Sequence, residues 1–509
     1  MWAQKIAEKL FKTKKSLYNI TCGISPSGPF HLGHLREILT PDVLAWTIKK
    51  QGKKVKVHFI LDDFDHLRKL YPFLPKKFEK YVGKPLCLIP DPWGCHKNYS
   101  EHFFSPFKET MKDLKIEFKI YSAFELYKKG AFNPYIETIL KRKDEIAKIL
   151  KEVAGTKIKK DFYPFKPLCP RCNSLTKTKI LKIDFEKKTL RIKCNECGFS
   201  GNISYLNGGG KLMWRLHWVA WWQIFNSDAE GFGKEHATQG SSYDTGKIII
   251  ERIFKKKAPL PIPYDLIYLK GTKGKMSSSL GNTIEASLLV NSLPEELVKY
   301  IVVRILPQKP IFFSPQDAIR FSEEIAADLK HLKRLSKEKI IILQYIFKTS
   351  DLKKEKFVPW NLFLYSSQIS SSSPLKTQKI LKKTGYDLPL PQIKKLLKKA
   401  DLWLENFGKD LKLKINKTPP KLSLSRKEKN FLKTLSKKLN KRTLSEEGVQ
   451  NLVFRLIKEN DIEIKKGFKL LYKIILNKES GPKISTLISL VGAQKTSKLL
   501  KRAINDWLN

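Results

Sequence analysis

The sequence predicts an α/β fold: a parallel-sheet domain carrying a cysteine-bearing insertion, followed by an all-α region. Three observations predict it. Apolar strand-like runs alternate with helical patterns in the N-terminal part. Two Cys-x-x-Cys pairs interrupt that alternation. From about Ser314 the pattern turns helical and very basic.

The first element is Leu17 to Ile24, an apolar run that reads as a buried strand and stops at Ser25-Pro26-Ser27-Gly28-Pro29. A helical pattern starts near His31 and runs to about Lys50, with Leu35, Ile38, Leu39, Asp42, Val43, Trp46 and Thr47 on its inner face. His31 and His34 thus stand three residues apart, on one face, where strand turns into helix. Backbone N–H groups and the helix dipole favour phosphate there, and Gly33 leaves room for a ligand against the backbone. A nucleoside triphosphate with both imidazoles near its phosphates suits this stretch. A pair of ordinary histidines at a helix start suits it equally.

Lys54 to Leu61 reads as the second strand and ends at Asp62-Asp63-Phe64-Asp65. Strand, helix, strand implies a right-handed crossover and a parallel sheet. Carboxylates at such a strand end lie where doubly wound sheets bind ligands, although helix capping uses the same residues. Leu67 to Trp93 is a proline-rich excursion. A helix over Tyr99–Leu114, a strand over Ile116–Tyr121 and one long helix from about Pro134 to Val153 follow.

Cys169-Pro170-Arg171-Cys172 and Cys194-Asn195-Glu196-Cys197 flank a hairpin-like alternation, Thr178 to Ile192. Two thiolate knuckles supply four sulfur ligands for zinc in a closed, structural site. Trp214 to Trp222 is a tryptophan-rich helix, read as core or as the wall of a pocket. Glycines around Gly231 to Gly246 imply close backbone approach, before a helix over Lys247–Phe254. Pro263 to Leu269 reads as the last strand and feeds Lys270 to Asn282, a loop of Gly, Lys and Ser suited to clamping triphosphate.

Composition bounds the partners. Lys and Arg number 98 against 49 Asp and Glu, a formal charge of +49. Such a field draws polyanions, nucleic acid first and anionic lipid second, though a general preference for lysine would look the same. No apolar run reaches transmembrane length and the N-terminus lacks a secretory signal, which places the chain in the cytoplasm, away from membranes. Seven cysteines, four of them in two pairs, point to a metal and not to disulfides.

Together, His31-Leu32-Gly33-His34 and Lys275-Met276-Ser277-Ser278-Ser279 resemble the HIGH and KMSKS motifs of class I aminoacyl-tRNA synthetases. Ile24-Ser25-Pro26-Ser27-Gly28, Leu61 to Lys69, Ile89-Pro90-Asp91-Pro92-Trp93-Gly94, Gly233-Lys234-Glu235-His236 and Gly240 to Gly246 look like class I, archaeal-type lysyl-tRNA synthetase. The likeness is dense from Ser16 to Glu323 and looser beyond. It implies a Rossmann-type catalytic domain in two halves, 1–155 and 213–313, a zinc-binding insertion over 156–212, and an all-helical anticodon-binding domain over 314–509.

The same resemblance implies activation of L-lysine by ATP to lysyl-adenylate, then transfer to the 3' end of tRNA(Lys), with Mg2+ accompanying the ATP. It assigns catalysis to His31, His34 and Lys275, and ATP binding to these with Gly33, Met276, Ser277 and Ser278. Lysine falls to Gly23, Ser25, Trp214, His236 and Tyr264; structural zinc falls to Cys169, Cys172, Cys194 and Cys197. A monomer is favoured. Three residues depart from the pattern: Ser278 replaces the second lysine of KMSKS, His217 stands where relatives carry aspartate, and His34 replaces the asparagine frequent in lysyl enzymes. The carboxylate that meets the substrate's ε-ammonium stays open, as do three other readings: a glutamyl enzyme, a small-molecule nucleotidylyltransferase and a non-catalytic tRNA-binding relative.

Overall fold

A computed structural model describes residues 2–159, 161–271, 283–441 and 445–505. The chain packs as two compact units. One comprises Met1–Val290, Glu295–Ser314 and Lys333–Leu352; the other comprises Asn291–Pro294, Pro315–Leu332 and Lys353–Asn509.

The first unit is built on a five-stranded parallel sheet. Its strands are β1 (Leu17–Ile24), β2 (Lys54–Leu61), β3 (Lys119–Ser122), β9 (Ala229–Gly233) and β10 (Leu260–Tyr264), in the order β10-β9-β1-β2-β3. β1 and β2 pair in parallel from Leu17 opposite Lys54 to Ile24 opposite Leu61. The chain proceeds outward from β1 to β3, then returns to β1's other side. The strand order therefore reverses at β1, and the crevice for a ligand opens at the C-terminal ends of β1, β9 and their neighbours.

Ahead of β1 lies α1 (Trp2–Phe11). Helix α2 (Leu35–Lys50) crosses over from β1 to β2 and is buried along most of its length, charged residues included. Then come α3 (Tyr99–Asp113), α4 (Ala123–Lys128), α5 (Asn133–Lys141) and α6 (Lys143–Ala154). The long helix expected over 134–153 is thus two helices. It breaks at Arg142, whose guanidinium bonds the Ile253 carbonyl (2.8 Å) and Glu145 (Nε–Oε2 3.0 Å), tying the joint to another helix. That helix, α8 (Ser242–Phe254), starts five residues before the expected one. Between α6 and α8 come the insertion and α7 (Trp214–Ile224).

The insertion opens on β4 (Phe165–Pro167) and closes on β8 (Gly210–Leu212), which pair antiparallel. Inside it, β5 (Thr178–Asp184), β6 (Thr189–Cys194) and β7 (Ser200–Ser204) form a three-stranded sheet, one strand more than the expected hairpin. The expected last strand, 263–269, divides as well. β10 ends at Tyr264, the chain turns at Asp265, and β11 (Ile267–Leu269) pairs with β12 (Ile311–Phe313) in a separate ribbon.

Among its described residues the second unit holds helices joined by loops, and no strand. Phe431, Leu435, Val453, Leu471, Ile474, Leu487 and Leu500 interdigitate at its centre. Gly492, at φ 92°, separates the helices Ile484–Val491 and Ala493–Asn505; a left-handed backbone is open to glycine and costly for most other residues. The serine-rich stretch 366–373, whose composition suits a loop or short linker, is partly helix: Trp360–Ile369 runs into it, with Ser366 and Ser367 buried and bonded to carbonyls of the preceding turn. Trp360, Phe363, Tyr365 and Trp403 are buried core, which leaves them unsuited to stacking on nucleic-acid bases.

Candidate active site

The turn from β1 into α2 fixes both histidines. His31 Nδ1 accepts from the Gly33 N–H (3.1 Å), and His34 Nδ1 accepts from the His31 N–H (2.9 Å), a reciprocal cap. The rings stack with centroids 3.8 Å apart. Burial, then the charge of His31, hold His34 well below the ordinary histidine pKa. Each ring uses Nδ1 as an acceptor, so a neutral ring carries its proton on Nε2 as a donor.

One helical turn on, Glu37 enters a cavity of about 420 Å3. Its walls come from the C-terminal ends of four strands: Gly23, Ile24 and Ser25 after β1, Asp62 and Asp65 after β2, Gly231 to Gly233 on β9, and Tyr264 on β10. Trp214, Trp218 and Trp221 of α7, with His236, close the remaining side. All five residues expected around lysine therefore line one cavity, together with His34. Gly23 is required by contact: a Cβ there would stand 2.6 Å from the Ile60 carbonyl oxygen and 3.1 Å from the Trp221 ring.

Carboxylates crowd this cavity, and their partners separate them. Glu37 accepts from the Gly23 N–H (3.0 Å) and from the Tyr264 hydroxyl; burial pushes its pKa up to about 8. Glu230 takes the Thr21 hydroxyl and the indole N–H groups of Trp218 (2.9 Å) and Trp221 (3.4 Å), and burial raises it to about 7. Asp62 receives both of its contacts from Lys211 Nζ, at 2.6 and 2.7 Å, inside the protein. Asp65 takes Arg68 at 2.9 Å and lies 4.0 Å from the same Lys211. His217 stands behind Asp62, fully buried, with Nδ1 3.0 Å from the Tyr127 hydroxyl and Nε2 3.7 Å from Asp62.

Residues 272–282, which include Lys275, Met276, Ser277 and Ser278, lie outside the described residues. The chain that follows them does not. Leu32 N–H donates to the Ile284 carbonyl (2.8 Å), Ala286 N–H to the Phe30 carbonyl (2.9 Å), and His31 bridges to Glu285. Arg36, buried on α2, donates to the carbonyls of Asp265, Pro307 and Lys309 at 2.7, 2.7 and 3.0 Å. Segments distant in sequence thus converge on the start of α2.

Among the described residues, two clusters could hold a metal ion. Cys169 Sγ and Cys197 Sγ are 3.5 Å apart, and Cys172 and Cys194 are 3.7 Å apart. Four sulfurs about 2.3 Å from a tetrahedral zinc stand roughly 3.8 Å from one another, so the set fits. The second cluster, Asp91, Cys95, His96 and His102, escaped the sequence reading. Cys95 Sγ lies 3.1 and 3.2 Å from the Nδ1 atoms of His96 and His102, and His102 Nδ1 lies 3.0 Å from Asp91 Oδ2. Its signal was Asp91-Pro92-Trp93-Gly94-Cys95-His96, with His102 one helical turn into α3. Glu37, Glu230 and Lys211 escaped too, each set in a pattern that reads as an ordinary helix or strand.

The fold and this crevice are those of a class I aminoacyl-tRNA synthetase. A family model described as "tRNA synthetases class I (K)" matches residues 1–351. The chain is 38% identical to the lysine–tRNA ligase of Archaeoglobus fulgidus, over 99% of this chain and all of that protein. It is 33% identical to that of Methanosarcina barkeri, over 96% and 95% of the two chains. Against that of Methanocaldococcus jannaschii the identity is 32%, over 96% and 97%. The chain belongs to the class I lysyl-tRNA synthetase family.

Proposed function

We infer that this chain is a lysine–tRNA ligase, which activates L-lysine with ATP and transfers the lysyl group to the 3' end of tRNA(Lys). The observation that carries the reading is Glu37. Among the described residues it is the buried carboxylate of the cavity without a cation or an indole already in place, and the Tyr264 hydroxyl and Gly23 N–H fix its orientation. The substrate ε-ammonium meets it, and the tryptophans enclose the aliphatic stem. Lys211 and Arg68 hold Asp62 and Asp65, while Thr21 and two indoles satisfy Glu230.

His31 and His34 donate from Nε2 to phosphate oxygens of ATP at the start of α2, with Gly33 giving close access. The lysine carboxylate attacks the α-phosphorus, pyrophosphate leaves, and no covalent enzyme intermediate forms. Catalysis is positioning and charge stabilisation. Lys275, Met276, Ser277 and Ser278 bind the outgoing phosphates, and Mg2+ enters with ATP. Both clusters take zinc in a structural role. Segments 1–155 and 213–313 carry catalysis, 156–212 the zinc insertion, and 314–509 reads the anticodon, in a cytoplasmic, monomeric enzyme. No helix among the described residues is long and apolar enough to cross a membrane.

Pyrophosphate–ATP exchange across the twenty amino acids tests the reading. Lysine drives exchange. Exchange driven by glutamate and not lysine overturns it, and tRNA binding with no exchange at all makes the chain a non-catalytic relative.

A further inference from the structure

A second cavity, of about 520 Å3, lies at the other end of the sheet. Val55 and Val57, at the start of β2, form its floor with Ala45. Leu61, at the active-site end of that strand, is six residues from Val55, about 20 Å along extended chain. This cavity therefore belongs to no part of the lysine site. It is larger than that site, and its chemistry is different.

Five lysines converge on it from separate segments: Lys49 of α2, Lys56 of β2, Lys115 before β3, Lys119 of β3, and Lys348 after the helix Lys337–Phe347. Two carboxylates answer them. Asp42 is taken by Lys348 (2.6 Å) and by the Tyr345 hydroxyl (2.7 Å); Glu117, well exposed, stands 3.9 Å from Lys49. Lys56, Lys115 and Lys119 make no ion pair among the described residues. The excess is felt inside the protein as well. Burial and then Lys348 bring the buried Lys299 down to about 8, with Lys115 adding to the effect. Trp46 and Phe118, both half-buried, supply aromatic surface among these charges.

We propose that this cavity is a nucleotide-binding site, holding a base against Trp46 and Phe118 and its phosphate on Lys56, Lys115 and Lys119. A simple polyanion would need the lysines alone. An apolar ligand would need the valine floor and no lysines. A nucleotide uses both, since every base has a stackable face and carries its charge a short distance away. The nucleotide comes either from an unpaired stretch of RNA or from the free pool.

The test uses the full chain, fluorescently labelled hexauridylate and unlabelled AMP. The variants are Lys56→Glu/Lys115→Glu/Lys119→Glu and Trp46→Leu. Lysine-dependent pyrophosphate exchange, measured alongside, reports that each variant is folded and that the active site is intact; if Trp46→Leu loses exchange, Phe118→Leu replaces it. The triple variant is expected to weaken hexauridylate binding at least tenfold and to lower the slope of log affinity against log salt by about 2 to 3. Trp46→Leu is expected to weaken it about fivefold or more at unchanged slope. AMP competing as well as an equal concentration of hexauridylate assigns the site to free nucleotide; poor competition assigns it to RNA. Binding untouched by the triple variant overturns the proposal. So does binding that the triple variant weakens and both aromatic variants leave alone, which makes the cavity a polyanion patch.

Discussion

Glu37 shows how one buried atom group couples chemistry to pH. Burial pushes its carboxyl up to about 8, above the ordinary value of 4.5. Its contribution to stability is full below about pH 4.5 and is lost as pH rises toward 8, by at most about 1.4 kcal/mol per unit. Lysine binding reverses the preference, because an ammonium favours the ionised form. Lysine should therefore displace about one proton at pH 7, seen as a dependence of calorimetric binding enthalpy on buffer ionisation. Its affinity should rise up to tenfold per unit between pH 6 and 8. Glu37→Gln should abolish both effects and raise KM for lysine by a hundredfold or more; proton release undiminished in that variant would refute the assignment. Gly23→Ala should cost activation severely while leaving ATP binding near normal, since the added methyl meets the Ile60 carbonyl and the Trp221 ring. The five residues that the resemblance assigns to lysine each sit in a recognisable stretch, and they line one cavity. Glu37 was not legible in the sequence. It lies between Arg36 and Ile38 in what reads as the charged side of a surface helix, and only the burial of almost all of α2 turns that side inward.

Among the elements, β8 links the cysteine-bearing insertion to the site. Lys211 is its middle residue, and its ammonium fills Asp62 from inside the protein. Lys211→Met leaves Asp62 buried with no cation, which costs roughly 3–5 kcal/mol for a broken buried pair. The melting temperature should fall by several degrees, and KM for lysine should rise more than kcat falls. Partial rescue by added ethylamine would mark the lost ammonium as the cause; an unchanged KM would leave Lys211 a purely structural residue. Cys194→Ser should lower zinc content and stability, with metal analysis deciding; wild-type protein without zinc would end the cluster reading. β1 and β2 were legible to the residue, since each is a bounded apolar run; β3 and β10 lie several residues from the expected strands, and β9, whose glycines read only as close backbone approach, was missed. The division of 134–153 at Arg142 was not legible, because periodicity continues across the break and the cause, a carbonyl on α8, is more than a hundred residues away. The turn at Asp265 was missed for a similar reason: Tyr264 and Ile267 both suit strands, and only the pairing partners differ.

At the scale of the whole molecule, the two units divide the work by composition. Among the described residues, the first holds every strand and both clusters that could hold a metal ion; the second holds helices with apolar faces turned to a shared core. A chain ending at residue 352 should keep lysine-dependent pyrophosphate exchange and lose most aminoacylation of tRNA(Lys). Charging at normal efficiency would contradict an anticodon role for the rest. The sequence reading places the change from α/β to α near 314; the second unit takes Asn291–Pro294 and resumes at Pro315. It could not foresee that 333–352 returns to the first unit, since Tyr345 and Lys348 reach Asp42 through space and carry no local sign of it.

The pairing of His31 with Glu285 also has a consequence in time. Glu285 stands 254 residues after His31. A ribosome moving at roughly 5–20 residues per second needs about 13–50 s to cover that distance. Throughout that interval the histidine turn and the buried charges of α2 lack the segments that cover them, so early exposure of this helix is the stage of biosynthesis at which the nascent chain is most open to aggregation.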